Sequence, residues 1–283
     1  MKTFFITGVS SGLGRAFAAG ALEAGHRVVG TVRRPEDVET FEALSTDRAH
    51  ARVLDVTDDD AVVRTVDDVE SSVGPIDVVI ANAGYGVEGT FEETPLAEVR
   101  AQFATNVFGV AATLQAALPH MRRRRAGHLM AVTSMGGLMA VPGMSAYCAS
   151  KFAVEGLLES LRKEVASFGI AVTAIEPGSF RTDWAGRSMT RAARTIGDYD
   201  ALFDPIRAAR VEASGNQLGN PAKAAEAVLA MVGESEPPAH LVLGSDALRL
   251  IGAARAAVDE DIRRWESLSR STDFDDGAQL AAS

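Results

Sequence analysis

Only one cysteine, Cys148, is present in 283 residues. No intramolecular disulfide can form, a pattern that fits a reducing compartment. Lysine is almost as scarce, represented by Lys2, Lys151, Lys163 and Lys223 alone. Basic residues number 28 against 38 acidic ones, for a net charge of −10. That balance excludes the basic footprint on which nucleic-acid binding depends. The one dense basic run, Arg122–Arg125, closes an apolar helical stretch and precedes Gly127, as expected where cations and then a glycine end a helix. No segment approaches the ~20 apolar residues of a membrane helix. The short apolar run at Phe4–Ile6 leads straight into a glycine-rich loop instead of the cleavage site of a signal peptide. A cytoplasmic protein without nucleic-acid or membrane partners is expected. His26, His50, His120, His128 and His240 are scattered without ligand spacing, and no metal is expected.

The hydrophobic content of 47% supports a sizeable core. Short apolar runs alternate with longer amphipathic stretches. Strands are expected at Thr3–Thr7, Arg27–Val32, Ala51–Leu54, Ile76–Ala81, His128–Thr133, Ile170–Ile175 and His240–Leu243. Helices are expected at Gly12–Ala24, over most of Leu96–Arg123, at Ser145–Ser167 and at Ala222–Val232. Alternation of this kind builds βαβ units, and the uninterrupted apolar strands require burial on both faces. The predicted fold class is α/β, a Rossmann-type doubly wound parallel sheet of about seven strands with helices on both faces. No linker divides residues 1–283, so one domain is expected. Within it, 179–219 lacks a clear strand and has the position of a substrate loop or lid. A C-terminal helix is expected over 246–270, and a polar, frayed tail over 271–283.

Directly after the first strand the chain reads Thr7-Gly8-Val9-Ser10-Ser11-Gly12-Leu13-Gly14. Glycines so spaced let the backbone turn tightly and approach a pyrophosphate, which the N–H groups and dipole of the following helix then bind. The second strand ends in Val32-Arg33-Arg34. The acidic residue that would hold the ribose hydroxyls of NAD is missing, and two guanidinium groups suited to a 2′-phosphate follow. NADP(H) is therefore expected over NAD(H). Asp55 and Val56 after the third strand, and Asn82, Ala83 and Gly84 after the fourth, lie at the strand ends where open α/β sheets bind ligands.

Tyr147 and Lys151 stand four apart at the start of a long helix, on one face. A free tyrosine titrates near pH ~10. A nearby ammonium and a positive nicotinamide both favour the phenolate and so fit the phenol for acid/base work. Ser134, at the end of the fifth strand, can donate to a substrate oxygen while Tyr147 delivers the proton. Asn106 sits inside a helix, where asparagine is mildly unfavourable unless it has a polar task. Met135, Leu138, Met139, Val141 and Met144 between Ser134 and Tyr147, with Trp184 and Met189 further on, are candidates for an apolar, adaptable pocket. Cys148 has the character of a small buried side chain.

These motifs together resemble the short-chain dehydrogenase/reductase family over about residues 3–245. They are TGVSSGLG, Asp55, the NAG of Asn82–Gly84, Asn106, Ser134, the YCASK of Tyr147–Lys151, and Pro177-Gly178 with Thr182. The resemblance implies a catalytic tetrad of Asn106, Ser134, Tyr147 and Lys151. It also implies that Lys151 binds the nicotinamide ribose, that Asp55 contacts the adenine, and that Thr182 contacts the carboxamide. The family's usual NNAG is ANAG here, with Ala81 first. The segments NAGYGVEG, NVFG, IEPGSFRTDW and GSDAL are most similar to the 17-beta-hydroxysteroid dehydrogenase-like subgroup. The implied activity is interconversion of a ketone or aldehyde with an alcohol, on a small apolar or steroid-like substrate. The resemblance further implies a homodimer or homotetramer built on the long helices around Asn106 and Lys151, with the dimer preferred because extra residues follow the seventh strand. Two other readings compete. One is a dinucleotide-binding regulator that has lost catalysis, and the other is a nucleotide-sugar epimerase or dehydratase, which shares Tyr-x-x-x-Lys but usually has a larger C-terminal domain.

Overall fold

The computed structural model describes residues 1–184 and 186–274. Nine strands are described: β1 (Thr3–Ile6), β2 (Arg27–Val32), β3 (Ala49–Val53), β4 (Val78–Ala81), β5 (Gly86–Glu88), β6 (Gly127–Val132), β7 (Ile170–Pro177), β8 (Met189–Arg191) and β9 (His240–Leu243). The helices are α1 (Gly12–Glu23), α2 (Asp37–Glu42), α3 (Asp59–Ser72), α4 (Leu96–Phe103), α5 (Gly109–Arg124), α6 (Ser145–Val165), α7 (Asp200–Glu212), α8 (Pro221–Val232) and α9 (Ser245–Arg270). Seven strands form one sheet in the order β3-β2-β1-β4-β6-β7-β9, and every pairing in it is parallel. The expected architecture is present.

Strand alternation divides the core in two. On one face Phe4, Ile6, Val28 and Met130 pack with residues of α1, α2 and α8. On the other, Phe5, Val29, Val79 and Leu129 pack with residues of α3, α5 and α6. Successive side chains of one strand serve opposite layers, which is why the strands read as unbroken apolar runs. Chain order reverses direction between β1 and β4, so their C-terminal ends open the crevice where such sheets bind ligands.

Three features differ from the sequence reading. The expected helix over Leu96–Arg123 is interrupted by one wide turn, Ala104–Phe108, between α4 and α5. The residue past α5 in the left-handed conformation is Arg125, at φ +54°, and not Gly127. Gly127 already belongs to β6, where a Cβ would meet the Met121 sulfur at 2.3 Å. Third, 179–219 is not strandless. Its β8 pairs in parallel with β5, apart from the main sheet, and α7 follows.

That segment is fastened to the body by charge. The buried carboxylate of Glu88 accepts from Arg191 at 3.0 Å and Arg210 at 2.9 Å. Glu93 receives Arg194 at 3.1 Å and the amides of Thr195 and Ile196. The expected frayed tail lies, from residue 275 onward, outside the described residues. Among the described residues no helix is long and apolar enough to cross a membrane.

Candidate active site

The loop between β1 and α1 turns on Gly8 and Gly12, with φ of +73° and +61°. A Cβ on Gly12 would meet nothing within 4 Å, whereas one on Gly14 would lie 2.3 Å from Asn82 Nδ2 and 2.4 Å from the Gly8 carbonyl. One glycine thus leaves open space and the other permits close packing, the two functions a phosphate cradle requires. Ser11 precedes α1 in extended conformation, and its side chain does not cap the helix. The first N–H groups of α1 are therefore left for a ligand, and no acidic residue in the first turn opposes an anion. Ser10 and Leu13 are partly exposed beside this opening. The residues present fit a dinucleotide pyrophosphate.

The Asn82 side chain is engaged with the glycine loop. Its amide nitrogen donates to the carbonyls of Thr7 at 2.9 Å and Gly8 at 3.0 Å. The Thr7 hydroxyl in turn accepts from the amides of Asn82 and Ala83. The loop after β4 is stapled to the glycine loop. Gly84 lies at the heart of the site, where a Cβ would be 3.1 Å from Asn106 Oδ1 and 3.7 Å from Lys151 Nζ.

At the end of β2, both arginines are exposed. Arg34 forks onto Asp37 with bonds of 3.0 and 2.8 Å, while Arg33 makes no hydrogen bond or ion pair among the described residues. Asp55 accepts from the amide and hydroxyl of Thr57, which leaves its second oxygen outward. Val56 is buried in the core, where it packs where a Cβ on Gly109 would clash at 2.7 Å. Its side chain is structural.

The four expected catalytic residues converge. Lys151 is buried, and its ammonium donates to the Val132 carbonyl at 2.8 Å. Its Nζ lies 5.8 Å from the centre of the Tyr147 ring. Burial lowers the Lys151 pKa to about 8, against the raising effect of the Glu155 carboxylate. Burial pushes the Tyr147 phenol up to about 12, while the Ser134 hydroxyl acts in the opposite sense. Ser134 caps the turn Met135–Gly137, its oxygen accepting from the Gly136 amide at 2.9 Å, so the hydroxyl hydrogen remains to be donated elsewhere. Asn106 occupies the wide turn and is fully buried. Its side chain donates to the Tyr85 carbonyl and to Ser150 Oγ and accepts from the Tyr85 amide. Ser150 Oγ donates to the Tyr147 carbonyl at 2.7 Å. Asn106 is thereby connected to the first turn of α6 that carries Tyr147.

Sequence reasoning passed over Gln102 and Ser150. Gln102, fully buried one turn before Asn106, donates to the same Tyr85 carbonyl at 2.9 Å. A Gln-x-x-x-Asn spacing on a buried helical face is a signal that could have found it.

The pocket candidates separate. Trp184 stands against Tyr147 with ring centres 5.3 Å apart. Trp184 and Met189 both press on Gly86, where a Cβ would meet them at 2.9 and 3.0 Å. Met144 is buried beside Tyr147 in sequence, and Met135 is partly buried. Met139 instead packs with Ala247 and Ile251 of α9, so it is core. Pro177 ends β7. Gly178 sits against Asp246, which also accepts from the Ser179 amide at 2.8 Å, tying this corner to α9. Thr182 follows in a bend, partly exposed.

Residues 2–192 match the family model described as short chain dehydrogenase. Oxidoreductase BOA17 of Botryotinia fuckeliana is 39% identical over 270 residues, 95% of this chain and 98% of that protein. The 3-ketodihydrosphingosine reductase of Bacteroides thetaiotaomicron is 36% identical over 245 residues, 86% of this chain and 88% of that one. The crystal structure of a short-chain dehydrogenase from Streptomyces avermitilis superposes with a TM-score of 0.90 at 39% identity, covering 96% of this chain and 100% of that chain.

Proposed function

This chain belongs to the short-chain dehydrogenase family, and from that premise we propose that it is an NADP(H)-dependent oxidoreductase that interconverts a ketone or aldehyde with the corresponding alcohol. The observation that carries the reading is the convergence of Lys151, Tyr147, Ser134 and Asn106 at the crevice beside an uncapped α1.

The nicotinamide, when bound, supplies or receives the hydride. The protein's own groups handle the oxygen and its proton. Ser134 donates to the carbonyl oxygen and holds it in place. Tyr147 delivers the proton to that oxygen in reduction and removes it in oxidation. A phenol near 12 is too weak an acid for exchange near neutrality. Bringing it to about 8 requires about 5 kcal/mol of differential stabilisation of the phenolate. Lys151 contributes through its charge, and a cationic ring in the same crevice adds to it. Asn106 positions α6 through Ser150.

The NADP preference rests on Arg33 and Arg34, with no acid at the end of β2. The substrate reading rests on Trp184 against Tyr147 and on Met189 beside Trp184 at Gly86, apolar side chains that favour an apolar carbonyl compound. A relative named for 3-ketodihydrosphingosine reduction is consistent with a ketone, as is the subgroup likeness of the NAGYGVEG and IEPGSFRTDW segments. A homodimer is supported by the exposed Phe108 and Phe152 on the helical faces around Asn106 and Lys151; a scattering-derived mass tests it.

The experiment for the activity is dinucleotide oxidation over a panel of ketosteroids, quinones, aliphatic aldehydes and keto esters, with NADPH and NADH in parallel. Turnover with NADPH favoured is expected. Tight NADPH binding with no reduction of any carbonyl would point instead to a regulator, and an isomerised or dehydrated sugar product with unchanged cofactor to the epimerase class.

A further inference from the structure

Behind the site lies a cluster of ionisable side chains that the chemistry above does not use. Glu155 is on α6, one helical turn past Lys151 and on the same face. Glu176 is on β7, and His240 is on the adjacent β9. Glu155 and Glu176 are buried, at 6% and 0% exposure, and His240 is the member that reaches solvent, with its side chain 34% exposed.

The imidazole is engaged at both nitrogens, Nδ1 with Glu176 at 2.5 Å and Nε2 with Glu159 at 3.0 Å. A ring between two carboxylates is best satisfied as the doubly protonated cation. On the inner side, both oxygens of Glu155 and Oε2 of Glu176 are buried with no hydrogen-bond partner; the Thr133 hydroxyl, which faces Glu155, donates to the Ile175 carbonyl instead. Orphaned buried carboxylate oxygens are costly. A proton held between two neighbouring carboxyl groups removes that cost for both, because one becomes the donor that the other lacks.

We infer that Glu155 and Glu176 share a proton near neutral pH, with His240 as their contact to solvent, and that Glu155 is a positioning residue that sets the charge of Lys151. Burial raises both carboxyl groups, Glu155 to about 7. The other charged groups facing the cluster are Lys151, Glu159 and Arg162 from α6 and Arg255 from α9. When Glu155 ionises, its charge stabilises the Lys151 ammonium. Deprotonation of the cluster therefore defends the charged lysine as pH rises. The donor atoms of Glu155, Glu176 and His240 all lie within 4.8 Å of one another, a spacing that a divalent cation would also accept. The two engaged imidazole nitrogens favour the proton.

The second half of this inference rests on the role given to Lys151 under the proposed function, and the test keeps the two apart. Infrared titration of the full-length protein should show a protonated carboxyl band that disappears near neutral pH. The band should be lost or displaced in Glu155→Gln, and in His240→Ala its loss should move to higher pH because the neighbouring cation is gone. In turnover with NADPH, Glu155→Gln should move the alkaline limb of the kcat profile to lower pH by about one unit, with NADPH affinity at neutral pH retained. Glu155→Gln keeps the shape and the uncharged form of the carboxyl group, so it reproduces the protonated state that prevails below pH ~7. Absence of the carboxyl band above pH 6, an unmoved alkaline limb, or one-to-one Zn²⁺ binding abolished by Glu155→Gln would each overturn the inference. If the wild-type protein reduces no carbonyl compound, the proposed function fails, and the infrared titration alone decides the shared proton.

Discussion

Replacing Asn82 with alanine tests whether this residue is the staple between the glycine loop and β4. Its side-chain amide donates at 2.9 and 3.0 Å to two carbonyls, those of Thr7 and Gly8, and it abuts Gly14 so closely that a Cβ there would sit 2.3 Å away. The substitution removes both bonds and leaves two partly buried acceptors facing a small void. At about 1–2 kcal/mol for each lost bond and its stranded acceptor, the cost is about 2–4 kcal/mol. For a chain of this size that corresponds to a fall in Tm of about 3–7 °C. The Gly8 carbonyl would also be free to shift, so dinucleotide affinity should fall with stability. Thermal unfolding with and without NADPH, together with NADPH titration by fluorescence, checks both. An Asn82→Ala protein with unchanged Tm but much weaker NADPH binding would refute the staple and return Asn82 to direct ligand contact.

Other outcomes follow from the same structure. Arg33→Ala should weaken NADPH binding by about tenfold or more, at about 1.5–3 kcal/mol for charged hydrogen bonds, with little effect on NADH. Arg34→Ala should cost less, because Arg34 is already paired with Asp37; Kd values for both dinucleotides decide. Glu155 is raised from 4.5 to about 7, so its contribution to stability is fully present below pH 4.5 and is lost as pH rises through 7. The folded state then carries a buried charge costing on the order of 3 kcal/mol. Urea midpoints in the wild type should fall between pH ~5 and about 7.5 and level off above that, and the fall should be absent in Glu155→Gln. Glu88→Ala removes the buried carboxylate that Arg191 and Arg210 share. It should speed proteolysis within Met189–Glu212 and raise KM more than it lowers kcat.

The sheet was legible because βαβ units leave a local trace. Phe4–Ile6 and Val28–Val32 are unbroken apolar runs, and both layers of the core draw on their alternate residues. The glycine loop and the Tyr147–Lys151 spacing were legible for the same reason, since the chemistry fixes the sequence interval. Contacts across the fold left no such trace. The partners of the Asn82 side chain, Thr7 and Gly8, lie some seventy-five positions away, beyond the reach of any local pattern. Met139 has the polarity of a pocket residue, but α9 closes over it. The helix α7 contains Pro205 in its interior, which obscured its periodicity. The left-handed residue after α5 is Arg125 where sequence favours a glycine. Gly127 already begins β6, packed so closely on Met121 that a Cβ would not fit, and the turn falls to Arg125, whose side chain reaches the Ser167 carbonyl. Glu155, Glu176 and His240 come from three elements and share no motif.

The most direct measurement is single-turnover hydride transfer in the Tyr147→Phe protein, followed through NADPH absorbance with an accepted carbonyl substrate, beside NADPH titration of the same protein. The phenyl ring keeps the contact with Trp184 and removes only the proton donor. A rate lower by about 100-fold or more, with NADPH affinity unchanged, is the expected result. A rate equal to that of the wild type would show that another group delivers the proton and would contradict the assignment of Tyr147.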